Sequence, residues 1–552
     1  MSQPTPDQSR LTDLGLRHTG SRRAFLACSL AAGLGMGGSA LGWAAPARAG
    51  AGLDYTAPGT FDDFHETFER RTDRIGQSTD LNEWVGALAW GQSYIQVALI
   101  RMYEATRQRR YLYDLVGHVE DVLATRDSVR GVRDYRGLSL PAWRAGWPYT
   151  MGGVTLSDSA GRQTLQVRSV RTPIENLVTL KPLEVTPLID VEVGPGTAAD
   201  TFRLTVTHRQ FNVTEVYDDL SMDPASPGYV VTRVHARWPT FNSVTVKDLR
   251  EDPAAAGSPA PGTSTMQSLP GIFGVHTGQI VHPMAWFART VRESGVLRND
   301  SVLAAKADEF ADAAAEAVAV HDGEWRESDR GEGWYDFLRG DPSGFDGTEQ
   351  PANQFLALGR AQQHLAVVTG DATYADRVAK MARTLRRQLS VDGDDAYVWH
   401  YWPTFGHVYN GWSKEDDVSE FRLSYGGARQ VEDLSHAHLD VDFAVQAFRD
   451  RTVFGGRDMA RFARTFTENL IAFEDGGEPT VWFNVDGSFR KGVLSDELVA
   501  AGWLPVASWD RRVFDHCRAM YDASGLTPDY EFLSGYMLMG VANLVWTSSH
   551  LG

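Results

Sequence analysis

Cysteine is nearly absent from this chain of 552 residues, which has two, Cys28 and Cys517. Cys28 lies in an N-terminal segment patterned like an export leader. The mature chain is therefore expected to hold one thiol and no internal disulfide, which excludes any metal site built on cysteines. Basic residues are also short. Lys and Arg number 53 against 71 Asp and Glu, a formal net charge of −18. An acidic surface argues against nucleic-acid binding and gives no overall attraction for a polyanion. Beyond the leader no stretch is apolar enough to cross a bilayer. With 43% hydrophobic residues and moderate charge the chain is globular rather than disordered. Its length suits two or three domains around a large core.

Residues 1–49 read as that leader. Ser21-Arg22-Arg23-Ala24-Phe25-Leu26 resembles the twin-arginine motif. A small apolar run follows from Ala27 to about Ala45, and Ala47-Arg48-Ala49 fits a small-x-small cleavage site. The resemblance implies a secreted or extracytoplasmic protein, exported already folded by the twin-arginine pathway.

The rest alternates in character. Residues 60–140 carry helical periodicity, with a break at Thr106–Arg110, and read as a first helical pair. From 150 to 252 the pattern becomes β. Leu165–Val170, Phe202–Thr207 and Tyr229–His235 alternate, with turn residues between them, which predicts an antiparallel sandwich or inserted sheet. Residues 253–270 begin with a run rich in Pro, Ala and Gly and read as a linker. Helices return for 271–552, with candidates at 277–294, 300–320, 351–369, 371–390, 434–453, 456–473, 508–522 and 532–548. A unit recurs: Leu99–Thr106 stands five residues before Tyr111, and His364–Thr369 stands five before Tyr374. Phe448–Phe454 begins a looser third copy. Helix–tight turn–helix units cannot bury their apolar faces alone, so stacking or ring closure must do it. The predicted fold is α+β and multidomain: an (α/α) toroid of paired helices with a smaller antiparallel β-sandwich domain.

The densest chemistry runs from Glu432 to Phe443, where seven of twelve residues are polar. Asp433 or Ser435 is placed to cap a helix there. Helical spacing then puts Asp433, His436 and Asp440 on one face, and His438 with Asp442 on another. Such a cluster is costly to bury without partners, so it is expected to face a cleft. His436-Ala437-His438-Leu439-Asp440 matches the start of the metallo-β-lactamase zinc motif. The next residue is Val441 rather than His, and the segment reads as helix, so no metal site is assigned.

Three loops between helix pairs look like a shared rim. The first runs from Trp334 through Glu349 to Asn353 and Gln354, the second spans Tyr397 to Pro403, and the third holds Arg422, Tyr425 and Arg429. Alternation in the second puts Trp399 and Tyr401 on one side and His400 and Trp402 on the other. Aromatic faces beside amides, carboxylates and arginines suit sugars, whose C–H faces stack on rings and whose hydroxyls need many partners. The substrate-binding candidates are therefore Asn353, Gln354, Trp399, His400, Trp402, Arg422, Tyr425, Arg429, His438, Trp334 and Glu349.

Paired helices, a β domain and the motifs Trp-His-Tyr-Trp, Pro-Ala-Asn-Gln and Glu-Asp-x-Ser-His resemble the (α/α)-toroid polysaccharide-active enzymes. These include alginate and glycosaminoglycan lyases, and the helical domain is similar to that of glucuronyl C5-epimerases. The resemblance implies a lyase that abstracts the C5 proton of a uronic acid. Asn353 or Gln354 would neutralise the carboxylate, His436 and Tyr401 would be base and acid, and Asp433 would orient the histidine. A C5-epimerase uses the same abstraction. A toroid hydrolase would need a carboxylate pair, drawn from Glu349, Glu432, Asp433 and Asp440. A non-catalytic glycan binder would keep the aromatics without needing the acid–histidine cluster. The expected partner is a polysaccharide or oligosaccharide. No cofactor is expected, and a divalent metal has no motif behind it.

Overall fold

The computed structural model describes residues 52–551 except 72–73, 147–148, 170–188, 210–212, 237–243 and 253–256. The leader lies outside the described residues. Twelve helices organise the helical part: α1 (Pro58–Glu69), α2 (Ser93–Thr106), α3 (Arg110–Ala124), α4 (Gly274–Glu293), α5 (Ser301–Ala319), α6 (Ala352–Thr369), α7 (Ala372–Gln388), α8 (Leu434–Arg449), α9 (Gly456–Arg464), α10 (Leu494–Val499), α11 (Arg512–Ser524) and α12 (Gly535–Leu551). A 3-10 segment, Ala500–Val506, extends α10 inward.

The inner helices form a closed circuit. α2 packs on α4, α4 on α6, α6 on α8, α8 on Ala500–Val506, that segment on α12, and α12 back on α2. Their burial shows the role. α4 is buried from Gly274 to Ala288, whereas outer α3 buries one stripe, Leu112, Leu115, Val119 and Val122. Close approach depends on two glycines. A Cβ on Gly278 of α4 would run into the Ala357–Leu358 backbone of α6, and one on Gly535 of α12 would meet the Gly91 carbonyl.

Two inner-to-outer turns are tight, and in each the first residue is left-handed. Arg107 (φ 61°) ends α2 and Gly370 (φ 72°) ends α6. Outer-to-inner connections are long, and three begin with two-stranded hairpins, Trp325–Glu327 with Gly333–Tyr335, Ser390–Val391 with Tyr397–Val398, and Ile471–Phe473 with Pro479–Val481. Since the inner helices run parallel, all long connections fall at one mouth of the ring, beside the inner-helix N-termini. The three expected rim loops are among them. The helix candidates of the sequence make five pairs and the structure has six: the inner segment of α10 and Ala500–Val506, absent from those candidates, packs with α11, and α12 packs with α1 outside it.

The β domain is inserted between α3 and α4. Its strands are β1 (Gly152–Ser157), β2 (Gln163–Ser169), β3 (Ile189–Pro195), β4 (Phe202–His208), β5 (Val213–Leu220), β6 (Val244–Asp248), β7 (Gly262–Thr265) and β8 (Gln267–Ser268). Two antiparallel four-stranded sheets, β6-β2-β1-β8 and β5-β4-β3-β7, share one apolar core. Two expectations are corrected. Tyr229–His235 is no strand, because Val230–His235 forms a short helix whose Val230 and Val234, one turn apart, enter that core. Residues 262–268 are no linker, because β7 and β8 form an edge of each sheet. The sandwich abuts the mouth: Arg168 Nη1 donates to the Gly340 carbonyl (2.9 Å), Lys247 pairs with Glu420 (2.5 Å) and the His235 ring meets Ser424 Oγ (3.0 Å). Among the described residues no helix is long and apolar enough to cross a membrane.

Candidate active site

An open cleft lies at the mouth. Each neighbouring inner helix supplies it from its first turn: His276 from α4, Asn353 and Gln354 from α6, and His436 from α8. Trp90, Tyr149, Phe273, Phe337, Phe345, Tyr401 and Trp402 make its walls aromatic.

The α8 corner is built from its cap. Asp433 accepts from the Ser435 and His436 backbone N–H groups (2.9 and 3.1 Å) and from Ser435 Oγ (2.5 Å). Its second oxygen meets His436 Nδ1 at 2.6 Å, which leaves Nε2 as the nitrogen free for the cleft. Burial opposes charge on both groups. Their mutual attraction and hydrogen bonds win, so the Asp433 carboxyl is held below its ordinary range and the His436 imidazole is raised above its own. The Tyr401 ring stands edge-on to His436, centroids 5.3 Å apart. Burial, with the charges of Glu432 and Asp433 nearby, keeps its phenol protonated far above the usual range.

Behind this corner lies a second acidic layer. Glu432 is fully buried and accepts from Asn353 Nδ2 (3.2 Å) and the Asp433 N–H (3.0 Å). Burial and the neighbouring Asp440 and Asp433 push its carboxyl well up. Asp440 accepts from Trp399 Nε1 (2.9 Å), and burial raises it to about 7. Glu432, Asp433 and His436 bring donor atoms within 4.8 Å of one another, a set of metal-ligating types. Two of the three are already committed to each other and to the helix cap.

The expected site residues divide. His436, Tyr401, Asn353, Gln354 and Trp402 line the cleft, with Asp433 and Glu432 directly behind. Trp399 does not: its ring packs against Phe462 and Trp503 in the core. The expected alternation fails because the strand ends at Val398, and Tyr401 and Trp402 both turn into the cleft. His438 is turned away from His436, bonding the Ser435 carbonyl (2.6 Å) beside Tyr94, so the zinc-motif pair does not converge. His400 rests on the Gln430 carbonyl and Tyr409. The Arg422 guanidinium stacks on Phe345 and Tyr425, and that of Arg429 on Tyr409, so these side chains support the wall rather than line it. Trp334 and Glu349 sit in an adjoining cluster with Phe405 and His407.

The sequence reading missed His276, Trp90, Tyr149, Phe273 and Phe345. His276 accepts from Trp90 Nε1 (3.3 Å), lies edge-on to Tyr149 (4.5 Å), and is pushed by burial to about 3, so it stays neutral. A signal existed: His276, like Asn353 and His436, falls in the first turn of an inner helix.

No protein-family profile and no curated protein matches the sequence. Among solved structures the chain is similar to an inactive variant of an α-1,6-mannanase of Salegentibacter sp. HEL1_6 in complex with α-1,6-mannotetrose. The identity is 8% and the TM-score 0.39, over 91% of this chain and 100% of that one.

Proposed function

We propose that the chain is a carbohydrate-active enzyme that breaks a glycosidic bond of a polysaccharide by acid–base chemistry at the His436–Tyr401 corner of the cleft. One observation carries the reading. An imidazole oriented by a buried carboxylate stands in ring contact, at one corner of an aromatic cleft, with a phenol held protonated. That is a base and an acid whose environments have separated their protonation states.

The cleft-lining groups suit elimination from a uronate. His436 Nε2 takes the C5 proton, the electron pair forms the C4–C5 double bond, and the C4–O bond breaks. The departing oxygen takes its proton from Tyr401. The first turns of α4 and α6 line the cleft and lack side-chain caps, so the positive ends of these helices suit a carboxylate. Asn353 and Gln354 stand beside them as neutral donors.

Hydrolysis is the second reading, favoured by a different observation. Glu432 and Asp433 are adjacent carboxyls shifted in opposite directions, one towards an acid and one towards a base. Incubating the protein with a panel of neutral and uronate polysaccharides separates the two. Elimination gives unsaturated ends that absorb in the ultraviolet, whereas hydrolysis gives saturated reducing ends. Deuterium uptake into intact polymer indicates epimerisation, and binding with no product of any kind overturns the enzyme reading.

A further inference from the structure

A second cluster of ligating side chains lies outside the cleft lining, between α1 and α3. His65 and Glu69 are one turn apart on α1, and His118 faces them from α3. Glu69 holds Oε1 3.8 Å from His65 Nε2 and Oε2 3.6 Å from His118 Nε2. The three donor atoms lie within 4.8 Å of one another. None of these separations is a hydrogen bond.

Two further observations point to a ligand. His65 Nε2 is buried and has no hydrogen-bond partner. Gln92 Nε2 lies 2.6 Å from His118 Nδ1, while Gln92 Oε1 is buried and unpartnered. A half-turn of that amide gives Oε1 the Nδ1–H as its donor. His118 then shows a lone pair at Nε2, facing a carboxylate. The arrangement, a carbonyl fixing the tautomer from behind and a bare nitrogen in front, is the one that metal-binding imidazoles use. Asp114 and Asp121 add negative charge around Glu69.

We propose that His65, Glu69 and His118 bind a divalent transition metal of the zinc type, with water completing the shell. Tetrahedral zinc with bonds of about 2.0–2.2 Å needs the donors drawn in by less than ~1 Å, within reach of side-chain rotation. Its role follows from its place. It ties the N-terminal helix α1, which closes the ring against α12, to α3 of the first pair.

The test uses the full chain, stripped with a chelator, dialysed and titrated with zinc chloride. Bound zinc is counted after gel filtration. Wild type should retain one zinc more than the His65→Gln/His118→Gln variant, and its thermal midpoint should rise with zinc while the variant's does not. Cobalt-loaded wild type should show visible d–d bands that the variant lacks. His436→Gln should keep this metal, which separates it from any ion at the cleft. Should the double variant not fold, Glu69→Gln serves in its place, with weakened zinc retention expected. Equal zinc content in wild type and variants, or none in wild type, overturns the proposal.

Discussion

His436 and Asp433 are joined by a short contact of 2.6 Å, and their shifts fix the pH behaviour of the candidate site. The raised imidazole contributes stability that is full below its ordinary value of 6.5 and lost as pH rises through its folded value. The depressed carboxyl contributes stability present above its ordinary value of 3.8 and lost as pH falls through its folded value. The pair should therefore stabilise most between those ordinary values. Urea midpoints of wild type and His436→Gln should differ most there and converge at higher pH; a constant difference contradicts the assignment. For catalysis the imidazole must be neutral, so the rate should climb with pH along a limb lying above 6.5. Tyr401→Phe should lower kcat about 10²-fold or more while KM moves little, as steady-state kinetics on any polysaccharide that is turned over will show. Glu432→Gln keeps the size and the neutral form of a buried carboxyl, so its thermal midpoint should stay near wild type, and its turnover should too if hydrolysis is not the reaction.

At the scale of the element, inner helices govern the outcome. Gly278→Val forces a branched side chain into the α6 backbone and should cost at least about 1–3 kcal/mol, seen as a lower denaturant midpoint. The helices themselves were legible in the sequence because their caps and apolar spacing are local. Asp433 or Ser435 was read as the cap of α8, and the structure has Asp433 there. Val230–His235 was misread because three β-branched valines suit either state, and the choice was made by the sandwich core into which two of them fit. Trp399 was misassigned for a related reason. Strand alternation does not continue past Val398, and no nearby residue signals where a two-residue strand ends.

For the whole molecule, topology explains the site. Shorter turns at one end and long connections at the other put the long loops beside the inner-helix N-termini. The repeats in sequence announced the ring, but closure at α1 was hidden, since the contact that leads into it, Tyr55 with the Leu526 carbonyl, joins residues 471 positions apart. The aromatic wall was equally hidden, because Trp90, Tyr149 and Phe345 belong to three different connections. The sandwich holds this mouth in place: the Arg168 guanidinium lies 3.7 Å above the Phe421 ring and bonds the loop that carries Phe345. Arg168→Ala should therefore raise KM for polymer more than it lowers kcat; an unchanged KM would show that the sandwich does not shape the cleft.

The most direct measurement is the turnover of His436→Gln against wild type on a polysaccharide that the wild type cleaves, with near-ultraviolet circular dichroism checking that the fold is kept. A folded variant slowed by at least about 10²-fold is the predicted result. A folded variant with wild-type turnover would place the chemistry somewhere other than this cleft.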